Sequence, residues 1–324
     1  MSERANLIDE ISQAQRLISS HVRETYLLHS QFYSELTGAN VYLKCENLQI
    51  TGSFKLRGAL NKCLSLTRAQ RKHGIVAAST GNHGKAVAYA NKIANSGSES
   101  RCTIFAPKDA DPIKLKSIRD FGANVHLAGD DCLESELLAK QFASENCQTY
   151  VSPYNDFKVV AGQGTIGFEI CNQLDQIDAV IGSMGGGGML SGIGSFVKDK
   201  FPSCEIIGCS PENSNVMIQS LSAGKLLDLP SQETLSDGTA GGVEPGAITF
   251  ELCQKMITQT ISVSELEIAK CLVQFVNNHS MLIEGAAAVA VAALLRIQNH
   301  LQGKNVVVVL CGANISAQRL ASII

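Results

Sequence analysis

The sequence is poor in proline, with 7 in 324 residues, and contains no repeat and no low-complexity tract. With 45% hydrophobic and 18% charged residues, these absences exclude a disordered or fibrous chain and describe a well-packed globular one. There is no run rich in lysine and arginine, and the formal net charge is -3, so the chain offers no electrostatic footprint for nucleic acid or an anionic membrane. No uninterrupted apolar stretch is long enough to span a bilayer. The opening MSERANLIDEISQAQRLISS has neither the apolar core nor the small-residue cleavage site of a secretory signal. The 11 cysteines are scattered singly without a CxxC pair, which fits buried thiols in a reducing compartment better than disulfides. A cytoplasmic location is therefore expected.

What is present is an alternation of short β-branched runs with longer helical patterns. GIVAAST precedes GNHGKAVAYANKIA, CTIFAP precedes DPIKLKSIRDFG, AVIGSMGGGG precedes MLSGIGSFVKDKF, and IIGCSP precedes NSNVMIQSL. This is the pattern of βαβ units, predicting an α/β fold with parallel sheets covered by helices on both faces. The length exceeds what one core usually supports, so two lobes sharing a cleft are expected. The segment 71–147 has its own strand and helix alternation and reads as a small inserted domain, leaving 1–70 and 148–324 as the large one.

Three glycine-rich segments, STGNHG, SMGGGG and LCGANIS, each follow a strand-like run, the position where parallel sheets bind ligands. Gly185, Gly186, Gly187 and Gly188 join such a run to a helical pattern. Consecutive glycines let backbone N–H groups converge on an anion, and the following helix adds its positive end, so phosphate is the natural guest; a flexible turn is the plainer reading. Lys55, in TGSFKLRGAL, is either a surface lysine at a helix start or an imine former, which must lose its proton near neutrality through desolvation. By itself STGNHG reads as a capped turn.

Taken in order, SFKLRGA, STGNHGKAVA, MGGGGMLSGI and LCGANIS resemble the signature set of the tryptophan-synthase-β-like, or fold-type II, pyridoxal-phosphate enzymes. Within them the chain most resembles the threonine/serine dehydratase and serine racemase branch, from about Glu10 to the C-terminus. The resemblance implies pyridoxal 5'-phosphate as cofactor, two open parallel-type sheets, a small amino acid as substrate and a homodimer. It implies that Lys55 holds the cofactor as an imine, that Phe54 and Met189 are among the residues that bind it, and that Asn82 bonds its 3'-oxygen. Gly185 to Gly188 would bind the phosphate, while Ser79, Thr80, Gly81 and His83 would form the loop gripping the substrate carboxylate.

Cys311 stands where many relatives place a serine facing the pyridine nitrogen, so it is a ring partner or a buried structural thiol. A neutral group there makes the cofactor a restrained electron sink, which favours expelling a β-leaving group, whereas a thiolate would favour a pyridinium ring. At position 80, relatives that mainly dehydrate often carry alanine and serine racemases a serine; Thr80 is either an acid/base on the face opposite the lysine or a ligand of the carboxylate or backbone. The divalent-cation site of racemase-type relatives corresponds to SPENSNVM, where Ser210 and Val216 replace its carboxylates and only Glu212 remains, so no metal is expected. Glu284 lies near the cofactor ring or serves as a helix N-terminal acid. No C-terminal regulatory domain is expected after LCGANIS. The expected activity is dehydration of L-threonine or L-serine to a 2-oxo acid and ammonia. The alternatives are a serine racemase, a dehydratase of a rarer substrate of hydroxyaspartate or hydroxyectoine-breakdown type, which SDGTAGGVEPGAITFELC resembles, and a catalytically idle regulator.

Overall fold

The structure is a computed structural model that describes residues 3–95, 101–130 and 132–323. Its strands are β1 (Leu27–His29), β2 (Asn40–Lys44), β3 (Ile75–Ala78), β4 (Cys102–Ala106), β5 (Asn124–Leu127), β6 (Thr149–Tyr150), β7 (Ala179–Ser183), β8 (Glu205–Pro211), β9 (Gln259–Val263) and β10 (Asn305–Val309). A six-stranded sheet runs β1-β2-β10-β7-β8-β9 and a four-stranded sheet runs β5-β4-β3-β6. Every pairing is parallel except that of β1 with β2, where a short edge strand turns back. The α/β class and the two parallel-type sheets expected from the alternation are thus observed, with β1 as the antiparallel exception.

The central strands read as continuous apolar runs because helices cover both faces. β7 (AVIGS) is buried at every position, and β10 (NVVVV) at all but its first. The helix Gly285–Arg296, GAAAVAVAALLR, is apolar on all sides and accordingly buried along nearly its whole length in the larger core.

The small sheet recruits chain from outside the expected insertion. β6 lies just past residue 147, and the helix Lys55–Ser65, which precedes residue 71, buries Leu56, Ala59, Leu60 and Cys63 in the same core as Ile75, Ala77 and Ile104. Helical periodicity marks a face as buried without saying which sheet will cover it.

The start of this helix is held by four buried charges. Arg57 donates through Nη1 to Glu169 Oε1 at 2.6 Å and through Nη2 to Glu46 Oε1 at 2.8 Å, while Lys44 Nζ reaches Glu169 Oε2 at 2.6 Å. The four side chains are 0–2% exposed. Burial opposes charge on Arg57, but the adjoining Glu46 and Glu169 carboxylates hold its pKa above the ordinary value. Opposite charges are balanced two against two, so removing one member strands another in an apolar interior. Glu169→Gln should therefore cost about 3–5 kcal/mol of unfolding free energy by urea titration. Removing the half-buried Lys62–Asp156 pair through Lys62→Met should cost about 1 kcal/mol or less.

Candidate active site

The loops at the carboxyl ends of β3, β7 and β10 converge on the first residue of the helix Lys55–Ser65. Backbone bonds stitch that lysine to the chain after β10. Phe54 N donates to Cys311 O at 3.0 Å, Ala313 N donates to Gly52 O at 2.9 Å, and Ser53 bridges Gly312. Lys55 Nζ donates to Pro153 O at 2.9 Å and lies 5.2 Å from the Phe54 ring centroid. Burial lowers the pKa of this amine to about 8, against the opposing pull of Cys311 and Glu284. An appreciable share of the amine is therefore neutral near physiological pH, as an imine former requires.

Beyond β7 the chain passes through Gly185, Gly186 and Gly187 into the helix Gly188–Lys200. Gly187 has φ +81°, a left-handed conformation that a side chain would strain. Gly186 is needed for contact: a Cβ there would stand 2.3 Å from Cγ of Tyr154, whose ring lies against the loop. Free N–H groups at the helix start and the positive end of its dipole suit a phosphate, and a bare glycine backbone lets it approach.

The opposite wall is a hydrogen-bonded network. Asn82 Nδ2 donates to Glu284 Oε1 at 2.8 Å, and Asn82 Oδ1 accepts from Asn314 Nδ2 at 2.6 Å. Asn314 N donates to Glu284 Oε2 at 2.9 Å. The Asn82 amide is locked in orientation and keeps a second N–H for another acceptor. Glu284, 3% exposed, is pushed up to about 7 by burial and by Asp237, despite the bonds from Asn314 and Asn82. Cys311 Sγ accepts from Ser183 Oγ at 3.5 Å and lies 3.9 Å from Glu284 Oε1. Burial and the Glu284 carboxyl raise its thiol well above the ordinary range, so it is neutral at physiological pH.

One pocket gathers Phe54, Lys55, Asn82, Gly185 to Gly188, Met189 and Cys311, every residue expected around the cofactor. Ser79, Thr80, Gly81 and His83 are not among its lining residues. Ser79 Oγ accepts from Gly81 N at 3.0 Å, which shapes the turn into the helix Asn82–Ala94. The His83 side chain is 3% exposed, with Nε2 2.8 Å from Val151 O, because neighbouring positions on a helix point about 100° apart. Glu284 is the N-cap residue of the helix Gly285–Arg296 and lines the pocket. Tyr154, Ser183 and Thr239 also line the pocket without having been expected there. Ser183 had a legible signal, since it ends the strand feeding the glycine loop, whereas Tyr154 had none.

The model of the pyridoxal-phosphate dependent enzyme family matches residues 18–312. The chain belongs to that family. Pyridoxal phosphate is accordingly its cofactor, and a buried low-pKa lysine facing a glycine cradle fits it. The chain is 39% identical over 317 residues to an L-threonine ammonia-lyase of Thermotoga maritima, covering 98% of this chain and 78% of that one. Its structure is similar to that of the processed threonine deaminase isoform 2 of Solanum lycopersicum, with TM-score 0.92 and 30% identity, covering 99% and 93% of the two chains. Maize serine racemase is similarly close, with TM-score 0.91 and 27% identity over 97% and 95%.

The raised carboxyl of Glu284 gives a test in the cofactor-free protein. Folding raises its pKa from 4.5 to about 7, so the stability it contributes is fully present below about 4.5 and is lost as pH rises through 7. Between pH 5 and 8, wild type should lose about 2–3 kcal/mol relative to Glu284→Gln in denaturant titrations. Parallel pH profiles for the two proteins would refute this.

Proposed function

We propose that this enzyme dehydrates a small β-hydroxy amino acid, L-threonine or L-serine, to a 2-oxo acid and ammonia. The observation that carries the reading is the pairing of a buried, readily deprotonated Lys55 with a glycine cradle and a neutral Cys311 thiol in one pocket. The names of the threonine ammonia-lyase and deaminase relatives support it.

In this reading Lys55 Nζ would hold the cofactor, and its amine, once freed, would take the α-proton of the substrate. The N–H groups from Gly185 to Gly188 would hold the phosphate, and the second N–H of Asn82 would serve the 3'-oxygen. Phe54 and Met189 would help hold the cofactor, and Cys311 would serve as the partner of its ring nitrogen. When bound, pyridoxal phosphate supplies an electron sink for charge developing at the α-carbon. A neutral thiol leaves that sink moderate, which favours loss of the β-hydroxyl as water over a long-lived carbanion. The turn of Ser79, Thr80, Gly81 and His83 receives the substrate carboxylate; the imidazole is engaged with Val151 O, so His83 contributes its backbone N–H. The water lost from the β-carbon is matched by water taken up when the C=N bond is hydrolysed.

Racemisation through the Thr80 hydroxyl is a second reading, favoured by the likeness to maize serine racemase. Recovered serine that includes the opposite enantiomer would identify it.

The chain works as a cytoplasmic homodimer with a small lobe built around the four-stranded sheet and the cofactor between lobes. Exposed Tyr26, Leu48 and Leu282 support the dimer: Tyr26 O accepts from Cys45 N and Leu282 O from Asn47 Nδ2, so they flank one turn. The buried thiols support the compartment.

An absorption spectrum of the purified enzyme should show a visible-edge band that borohydride fixes onto Lys55, and L-threonine or L-serine should yield 2-oxo acid. Lys55→Ala should lack the band and lose at least about 1,000-fold in activity, as removal of a covalent catalyst does. A cofactor-saturated wild type without the band would overturn the reading.

A further inference from the structure

Residues 237–247 run from the pocket wall at Gly238 and Thr239 to the helix Ile248–Met256. Both ends of this strap are fastened to helices of the four-stranded-sheet side. At its start, Asp237 meets Lys114 of the helix Pro112–Asp120 at 2.5 Å. At its end, Glu244 pairs with Lys140 of the helix Cys132–Glu145, and Lys140 also lies 3.0 Å from Glu136 of its own helix. The Glu244 carboxylate further accepts from Asn155 Nδ2, while Asn155 Oδ1 accepts from Ile248 N at 2.9 Å.

The strap bears on the pocket through Tyr154. Its hydroxyl accepts from Glu244 N at 2.9 Å, and its ring and Cα lie against Gly186 and Gly188. We infer that Tyr154 is a cofactor-binding residue, the outer wall of the phosphate cradle, and that the Lys140–Glu244 pair is the latch that positions it there. This rests on the reading in which the glycine loop takes the phosphate.

The geometry separates two roles. Tyr154 touches the loop directly, whereas Lys140 touches neither loop nor pocket and acts only by fixing the strap to which the Tyr154 hydroxyl is bound. The Lys140 and Glu244 side chains are 34% and 17% exposed, so water screens the pair only in part. Losing the latch leaves the strap end with only its bonds to Asn155 and should loosen its hold on the hydroxyl, while the ring still has the glycine loop to pack on. A wall over a phosphate slows the departure of the phosphate-bearing compound specifically. It has little effect on the same compound without phosphate, which the lysine and the ring pocket hold equally well.

The experiment follows release of pyridoxal 5'-phosphate, and separately of pyridoxal, from loaded wild type and from Lys140→Met, Lys140→Arg, Tyr154→Phe and Tyr154→Ala. Unfolding of each cofactor-free variant checks its fold. Release of pyridoxal 5'-phosphate should quicken about tenfold in Lys140→Met, less in Tyr154→Phe and most in Tyr154→Ala, as loss of a charge-assisted contact predicts. Pyridoxal release should change by less than about twofold, and Lys140→Arg should restore near wild-type retention. Unchanged release of pyridoxal 5'-phosphate from folded Lys140→Met and Tyr154→Ala, or equal acceleration of both compounds, overturns the inference and leaves the function standing. A wild type that retains neither compound overturns both.

Discussion

Four charges in the interior, Lys44, Glu46, Arg57 and Glu169, set the geometry on which the rest of this enzyme depends. They come from the end of β2, the turn after it, the lysine helix and the helix Phe157–Gln173. Buried opposite charges tolerate little change in distance or angle, because each would otherwise be left desolvated and unpaired. The quartet therefore fixes where the lysine helix begins relative to the large sheet. Lys55 stands two residues before Arg57, so its amine is delivered to a defined point in the pocket. A helix held only by apolar contacts with the small sheet would be free to slide by fractions of an ångström, which reactive geometry does not tolerate.

Around that amine the protein suppresses charge. Desolvation leads the shift at Lys55, at Glu284 and at Cys311, and in each case it favours the uncharged form. The groups also restrain one another: Glu284 opposes the loss of the Lys55 proton, and Lys55 opposes the rise at Cys311. Fixed charge is concentrated instead at the backbone N–H groups and helix start of the glycine loop, where a phosphate can use it. Arrangement by burial makes the pocket chemically moderate, with a readily deprotonated amine and a neutral thiol, which suits elimination.

The strap of residues 237–247 connects this moderate pocket to the small sheet. It supplies two pocket walls and is bound at both ends to lysines from helices of the other sheet. The wall of the pocket and the contacts with the helices of the small sheet thus share residues of one short segment.

By itself the sequence determined the α/β class, the glycine loop after β7, Lys55 at a helix start and the set Phe54, Asn82, Met189 and Cys311 around one pocket. The first three follow from period and turn chemistry, which are properties of short stretches of chain, and the set around the pocket from the resemblance of the ordered motifs to a known family. Only the tertiary structure decided that the lysine helix packs on the small sheet, that the His83 side chain turns to Val151 O, and that Glu284 holds Asn82. It also decided that Tyr154 lies on Gly186 and that Arg57 is buried between two glutamates. Each of these is a contact between positions tens to hundreds of residues apart, and local pattern reports that a side chain is buried or polar without reporting what will meet it.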